Sequence, residues 1–290
     1  MSKPLPGLER RLHTLRERGD RGGFLRLVDD LAQDLPEHAL AFCLPGLRPE
    51  DRALILELGD ELVVRPNFGQ AGATLKVRSE AAAELLATIG PDLGPGLVRL
   101  VVVPGVGAAA LPPMLRRIPA HTLRELRLDG NGVRCRQPKV ERGPGNVIQL
   151  EIRGDNSLLQ AVAGLPALRS LRLTENRVGK EGASILAEMP LERVDLRNNP
   201  LGDAGAIRLA ATRTLTSLRL EGCGIGPAGV VALSHIPQVS ALDLSGNTLG
   251  PEGVRALSRT EGLRCLRVRD CGLLPDQLSA LRDAIPELEC

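Results

Sequence analysis

One phrase recurs along the second half of the chain at almost constant spacing, and this periodicity restricts the fold more than any other feature. Its copies begin at Leu168, Leu191, Leu215 and Val239, and a fifth begins at Leu263, so the steps are 23, 24, 24 and 24 residues. A fixed period of this length predicts a solenoid, in which each repeat is one structural unit that buries its apolar edge against the next.

Within each copy, apolar residues alternate with polar ones, as at Leu171 and Leu173 or at Leu218 and Leu220. This period of two predicts a short strand that is buried on one face. An asparagine, or Cys223 in one copy, comes next, and we expect it to hydrogen-bond buried turn backbone of its own and neighbouring repeats. Paired glycines and apolar residues at helical spacing follow, so each repeat is predicted to close with a helix or helical turn.

The whole phrase, L-x-x-L-x-L-x-x-N/C-x-L-G-x-x-G-A-x-x-L-A, resembles the leucine-rich repeat family. Its second half resembles the bacterial GALA repeats and, more distantly, the ribonuclease-inhibitor and Ran GTPase-activating repeats. The resemblance implies an α/β fold: a right-handed solenoid with parallel strands on the concave face and helices or helical turns on the convex face. Arginine outnumbers lysine 33 to 4, which we interpret as the codon bias of a GC-rich, bacterial genome.

The repeats also predict how the chain is divided. Residues 1–70 do not repeat, and apolar residues at intervals of three and four predict amphipathic helices that form an N-terminal cap, with a break at Gly19–Gly23 and a later helix at Glu50–Leu58. Residues 71–290 are predicted to form the solenoid, with a degenerate repeat at 71–96. Eight clear repeats are then expected, beginning at residues 97, 123, 147, 168, 191, 215, 239 and 263.

The concave face is the natural binding surface of such a solenoid, and its side chains follow from the register. Between the two strand leucines the charge alternates in sign along Arg127, Glu151, Arg172, Asp195, Arg219, Asp243 and Arg267. Two residues further on, the column Asp129, Arg153, Thr174, Arg197, Glu221, Ser245 and Arg269 largely alternates out of phase. Such a ladder of ion pairs can simply fix the register, or it can also dock a charge-patterned protein. The partner-binding residues predicted on this face are Arg172, Asp195, Arg197, Arg219, Glu221, Asp243, Arg267 and Arg269.

The C-terminal end of the face differs, because Arg267 and Arg269 share one strand and their charges do not cancel within it. A second candidate contact is the segment 132–146, which replaces the helical half of its repeat. It is expected to be an irregular loop, either simply solvated or in contact with an anion or a partner. Its cationic side chains are Arg134, Arg136, Lys139 and Arg142.

Other function classes find little support. No histidine pair shares a predicted face and no cysteines have C-x-x-C spacing, so we expect neither catalysis nor a bound metal or cofactor. The net charge of +2 does not favour nucleic acid or a membrane surface as the partner. No signal peptide or transmembrane run is recognised, so a monomeric cytoplasmic protein with a protein partner is expected.

Two alternative functions remain open at this point. The likeness to Ran GTPase-activating repeats allows a regulator of a small GTPase. In the N-terminal region, Leu35-Pro36-Glu37, Leu47, Pro49 and Asp51 are spaced like the start of an F-box, which allows a ubiquitin-ligase adaptor or effector. Later F-box positions, a Val and a Trp, have no counterpart after Leu58.

Overall fold

A computed structural model describes residues 6–34, 36–66, 73–107, 109–128, 137–142, 148–153 and 157–290. The chain divides into two compact units, Met1–Leu126 and Arg127–Cys290. Arg134 and Arg136 of the predicted loop lie outside the described residues.

Four helices open the first unit: α1 (Pro6–Glu17), α2 (Arg21–Asp34), α3 (Pro36–Cys43) and α4 (Pro49–Glu57). The predicted break between the first two is confirmed, since Gly19 has a φ of 71° that glycine adopts without strain. Leu12, Phe24 and Val28 form a buried apolar cluster between these helices, as their helical spacing predicts.

Strands follow the helices in the same unit: β1 (Leu62–Pro66), β2 (Ala73–Val77) and β3 (Leu97–Val102), with helices α5 (Glu80–Ile89) and α6 (Leu111–Arg117). β2 pairs with β3 in parallel, and α5 connects them, which is the strand and helix expected of the degenerate repeat. β1 is a strand within residues 1–70, for which the sequence predicted helices and no strand. It pairs antiparallel with β2 at the edge of the sheet, and its first residue, Leu62, is 2% exposed.

The second unit alternates short strands with helices. After β4 (Glu125–Leu128), β5 (Gln137–Arg142), β6 (Ile148–Arg153) and α7 (Ser157–Ala163), the regular repeats supply β7 (Ser170–Arg172), α8 (Lys180–Ala187), β8 (Arg193–Asp195), α9 (Gly202–Leu209), β9 (Ser217–Arg219), α10 (Pro227–Leu233), β10 (Ala241–Asp243), α11 (Gly250–Leu257), β11 (Cys265–Arg267), α12 (Pro275–Ala284) and β12 (Glu287–Glu289). The predicted α/β solenoid is therefore present.

Strands β7 to β12 pair in parallel and in register. Equivalent residues of successive repeats lie side by side in the order Leu171, Val194, Leu218, Leu242, Leu266 and Leu288. From Leu171 to Leu266 these inward side chains are at most 3% exposed, whereas Leu288 on the last strand is partly exposed. The core is aliphatic, since the chain contains no Trp or Tyr and its three phenylalanines precede the regular repeats.

The expected role of the asparagines is confirmed. The Asn199 side-chain amide donates to the carbonyls of Leu173 and Leu196 at 2.8 Å each, and its oxygen accepts from the Val178 N–H at 3.0 Å. Asn247 makes the same hydrogen bonds two repeats later. Each asparagine thus satisfies buried backbone groups of two neighbouring repeats, which turn geometry alone leaves unpaired.

Glycines act at two kinds of position. Gly250 begins α11 with a φ of 63°, a conformation that side chains with a Cβ rarely adopt. Gly229 allows close approach, because a Cβ there would lie 2.6 Å from an Asp203 oxygen and 2.7 Å from Ile225 Cγ2.

The segment before Leu168 differs from the prediction. β6, which contains the predicted solenoid residues Leu150 and Ile152, pairs antiparallel with β5 in a separate two-stranded sheet. Parallel strands need a long crossover, and only five residues join Arg142 to Ile148, so the chain returns as a hairpin. The repeat at 147 therefore contributes no strand between β4 and β7, and Asn176 donates directly to the Leu128 carbonyl at 2.7 Å.

Candidate functional site

The outward side chains of β7 to β11, with those two residues beyond each outward strand residue, form one polar surface. We call it the polar sheet face, and its residues are Arg172, Thr174, Asp195, Arg197, Arg219, Glu221, Asp243, Ser245, Arg267 and Arg269. Parallel pairing places equivalent side chains of neighbouring strands about 5 Å apart. All eight residues predicted to bind a partner lie on this face.

Asp195 is the centre of the first charge cluster on the face. Arg197 binds it through two hydrogen bonds, from Nε to Oδ1 at 2.9 Å and from Nη2 to Oδ2 at 3.0 Å. Arg172 and Arg219 approach Oδ2 from the strands on either side, at 3.7 and 3.9 Å. Asp195 is only 8% exposed, and its hydrogen bonds raise the pKa of Arg197. Three cations therefore surround one buried carboxylate.

Asp243 occupies the equivalent position two strands away, but its partners differ. Its Oδ1 accepts from the Ser245 hydroxyl at 2.8 Å and from the Ser245 N–H at 3.2 Å. Within residues 157–290, no arginine nitrogen lies within 4.0 Å of its carboxylate. The alternating ladder is thus interrupted here, because Ser245 supplies hydrogen bonds where Asp195 has Arg197.

The third cluster corrects the expectation of uncancelled charge at the C-terminal end. Glu289 on β12 accepts two hydrogen bonds from Arg267, at 2.9 and 3.0 Å, and one from Arg269 at 3.1 Å. The hydrogen bond from Arg267 lowers the pKa of Glu289. Sequence reasoning missed Glu289 because it follows the last copy of the repeated phrase, although Glu287, Leu288 and Glu289 alternate as a strand does.

Exposure separates the residues that organise the face from those a partner can reach. The side chains of Arg219 and Glu221 are each 47% exposed, and that of Arg269 is 61% exposed. Glu221 lies 3.6 Å from Arg197 Nη1, so the exposed and buried charges belong to one connected network. Arg219, Glu221 and Arg269 are therefore the accessible charges, and Asp195 holds its neighbours in place.

Other candidate residues are placed elsewhere. Lys139 and Arg142 lie on β5 in the hairpin. Within the F-box-like spacing, Leu47 and Asp51 are each 2% exposed, and Arg48 hydrogen-bonds Asp51 at 2.9 Å. These two side chains stabilise the first unit internally.

Two further observations concern the part of the chain that the structure describes. It contains no group of three or more His, Cys, Asp or Glu side chains arranged to hold a metal ion. None of its helices has the length and apolar character needed to cross a membrane.

Comparison with known proteins agrees with the repeat geometry. A family profile described as Leucine Rich repeat matches residues 165–187, 189–210, 212–234 and 239–258. These segments are leucine-rich repeats. The match includes strands β7 to β10, which carry most of the polar sheet face. Assignment to the GALA class and a bacterial origin remain predictions.

Curated relatives match this chain only in part. Tonsoku-like protein from Mus musculus is 37% identical over 129 residues, which is 40% of this chain and 8% of that protein. The protein of the same name from Bos taurus gives the same figures. The chain therefore spans a small fraction of the length of these curated relatives.

Solved structures with similarity include the mouse RP105/MD-1 complex, at 20% identity and a TM-score of 0.45, covering 74% of this chain and 32% of that one. The yeast Rad7 and Elc1 complex gives 19% identity and a TM-score of 0.41, covering 66% and 53%.

Proposed function

We propose that this chain is a non-enzymatic protein-protein interaction module or scaffold that binds a protein partner through the polar sheet face. The observation that carries the proposal is the exposure and the fixed positions of Arg219, Glu221 and Arg269. Their side chains are exposed, yet Arg219 ends strand β9, and Glu221 and Arg269 lie two residues beyond β9 and β11. All three adjoin charge clusters that restrict their neighbours. A surface that is ordered before binding loses less conformational entropy on association.

The charges of the face define the partner's chemistry. A complementary surface presents carboxylates opposite Arg219 and Arg269 and a cation opposite Glu221. The chain offers no Trp or Tyr, and these residues often dominate tight interfaces. We therefore expect the partner to supply any aromatic anchors and the affinity to fall as salt is raised.

Affinity capture with matched variants tests the proposal. Arg219→Gln/Arg269→Gln removes two charges from the face, and Arg208→Gln/Arg255→Gln removes two from exposed positions on helices α9 and α11. Arg267 is left intact, because its paired hydrogen bonds to Glu289 make it structural.

The proposal requires a protein that wild type and the helix variant retain and the face variant loses. Circular dichroism melts should first show that both variants unfold at the wild-type temperature. If the helix variant loses the protein and the face variant keeps it, the binding surface is on the helices.

A further inference from the structure

The sheet of the first unit carries a second polar surface, formed by the outward side chains of β1, β2 and β3. Register places Val63 beside Lys76 and Lys76 beside Val101, and in the next row Arg65 beside Thr74. The opposite sides of β2 and β3 are closed, since Leu75, Val77 and Leu100 are at most 1% exposed. One face of this sheet is therefore core, and the other is open to a ligand.

The open face contains a pocket of about 360 Å³, near the lower end of the range of roughly 300–1,000 Å³ for ligand sites. Val63 and Val101 give it an apolar floor on either side of Lys76. Arg65, Lys76 and Arg78 line it as cations, and Asp60 is the one anion among the described residues of the lining. These four side chains carry a formal net charge of +2.

Lys76 and Arg78 differ in their ion pairing from the arginines that are already bound to carboxylates. Arg99, on the neighbouring strand, is already paired with Glu125 through its Nε at 2.7 Å. Among the described residues, no carboxylate lies within 4.0 Å of the Lys76 ammonium or the Arg78 guanidinium. On the polar sheet face, by contrast, Asp195 and Glu289 form ion pairs with Arg197 and Arg267. Lys76 and Arg78 thus present positive charge that no carboxylate of the described residues pairs with.

We propose that this pocket binds glutamate side chains of an acidic peptide segment in a protein partner. A glutamate fits both parts of the lining, because its methylenes cover the floor of Val63 and Val101 while its carboxylate reaches Lys76 and Arg78. Hydrogen bonds between charged groups of opposite sign are the stronger class, and the Arg78 guanidinium is able to bind a carboxylate with two of them. The site lies in the first unit, and its lining shares no residue with the polar sheet face.

Fluorescence anisotropy with a labelled hexaglutamate peptide and the full chain tests this site. Lys76→Gln/Arg78→Gln is expected to weaken binding about tenfold, which corresponds to the loss of a few weak charge contacts. Arg116→Gln/Arg117→Gln is the matched control, since it removes the same charge from exposed residues of α6 in the same unit. It should change the affinity less than twofold. Equal weakening by both variants would overturn the site, because it would show attraction to net charge alone.

Competition on the wild-type chain distinguishes the ligand without relying on a variant. Unlabelled hexaglutamate should displace the probe at lower concentration than hexa-aspartate, whose shorter side chains reach less of the apolar floor. Inorganic phosphate should compete only at much higher concentration. Displacement by phosphate as effectively as by hexaglutamate would refute a peptide site, and so would absence of hexaglutamate binding at low salt.

Discussion

Replacing Asn247 with alanine should destabilise the second unit more than Cys223→Ala, the substitution at the same position of the preceding repeat. Asn247 is 4% exposed, and its side-chain oxygen accepts from the N–H groups of Ile225 at 2.9 Å and Cys223 at 3.2 Å. Its amide donates to the Leu220 carbonyl at 2.7 Å. Each buried polar group left without a partner costs about 1–3 kcal/mol, so the two stranded N–H groups alone predict a loss of about 2–6 kcal/mol.

Cys223 provides the comparison, because it occupies the asparagine position one repeat earlier. Its thiol donates weakly to the Leu196 carbonyl at 3.1 Å and provides no acceptor like the asparagine oxygen. Two N–H groups stand where such an oxygen would accept: that of Leu201 donates instead to the Asn199 carbonyl at 2.8 Å, and that of Asn199 faces the thiol sulfur, a weak acceptor. Cys223→Ala therefore removes only weak sulfur contacts, and we expect it to cost about 1–2 kcal/mol, mainly through lost packing.

Urea unfolding followed by far-ultraviolet circular dichroism measures both variants, since the chain has no Trp or Tyr for fluorescence. Asn247→Asp is a useful third variant, because it keeps the shape while replacing the amide donor with an oxygen that faces carbonyls. It should be about as damaging as alanine at neutral pH. The reasoning is refuted if Cys223→Ala lowers the free energy of unfolding as much as Asn247→Ala does.

Three further predictions concern other contacts. Asp203→Ala should cost about 1–2 kcal/mol in urea unfolding, because its Oδ1 accepts from the Gly226 and Gly229 N–H groups at the start of α10; Asp203→Asn should recover part of this loss. Glu289 has a pKa held below its ordinary value of 4.5 by Arg267, so its contribution to stability is present above that value and disappears as the pH falls through the lowered pKa. The difference in unfolding midpoint between wild type and Glu289→Gln should accordingly shrink on acidification, and a difference that grows would contradict the assignment. Burial raises the pKa of the Cys43 thiol to about 12 and that of Cys223 to about 11, so a thiol reagent at pH 8 should label exposed Cys290 first and these two only after unfolding.

The repeats from Leu168 onward were predictable because each must present the same apolar strand edge to its neighbour. Burial at Leu171, Leu218 and Leu242 follows directly from that requirement. The segment at residue 147 misled the prediction, since Leu150 and Ile152 alternate as a solenoid strand does. Alternation reports which side of a strand is apolar, but it carries no information on which strand becomes its partner.

The charges of the polar sheet face were likewise predictable only in part. Sequence spacing places Asp195 between Arg172 and Arg219, and the structure agrees. Spacing does not reveal that Arg197, two residues beyond the end of that strand, makes the shortest hydrogen bonds to Asp195. Arginine has a long side chain that reaches back over its own strand, and which carboxylate it meets depends on rotamers that spacing does not determine.

Glu289 shows how strand pairing and charge pairing depend on each other. Without β12, Arg267 and Arg269 form an uncompensated pair, which is why the sequence pointed to that end of the face as a binding region. Pairing of Leu266 with Leu288 brings Glu289 beside both arginines, and its carboxylate offsets one of their two positive charges. Uncompensated charge instead lies in the first unit, at Lys76 and Arg78. A charge pattern read along one strand thus identifies a binding surface only after the neighbouring strands are known, because a carboxylate supplied by the next strand competes with any partner.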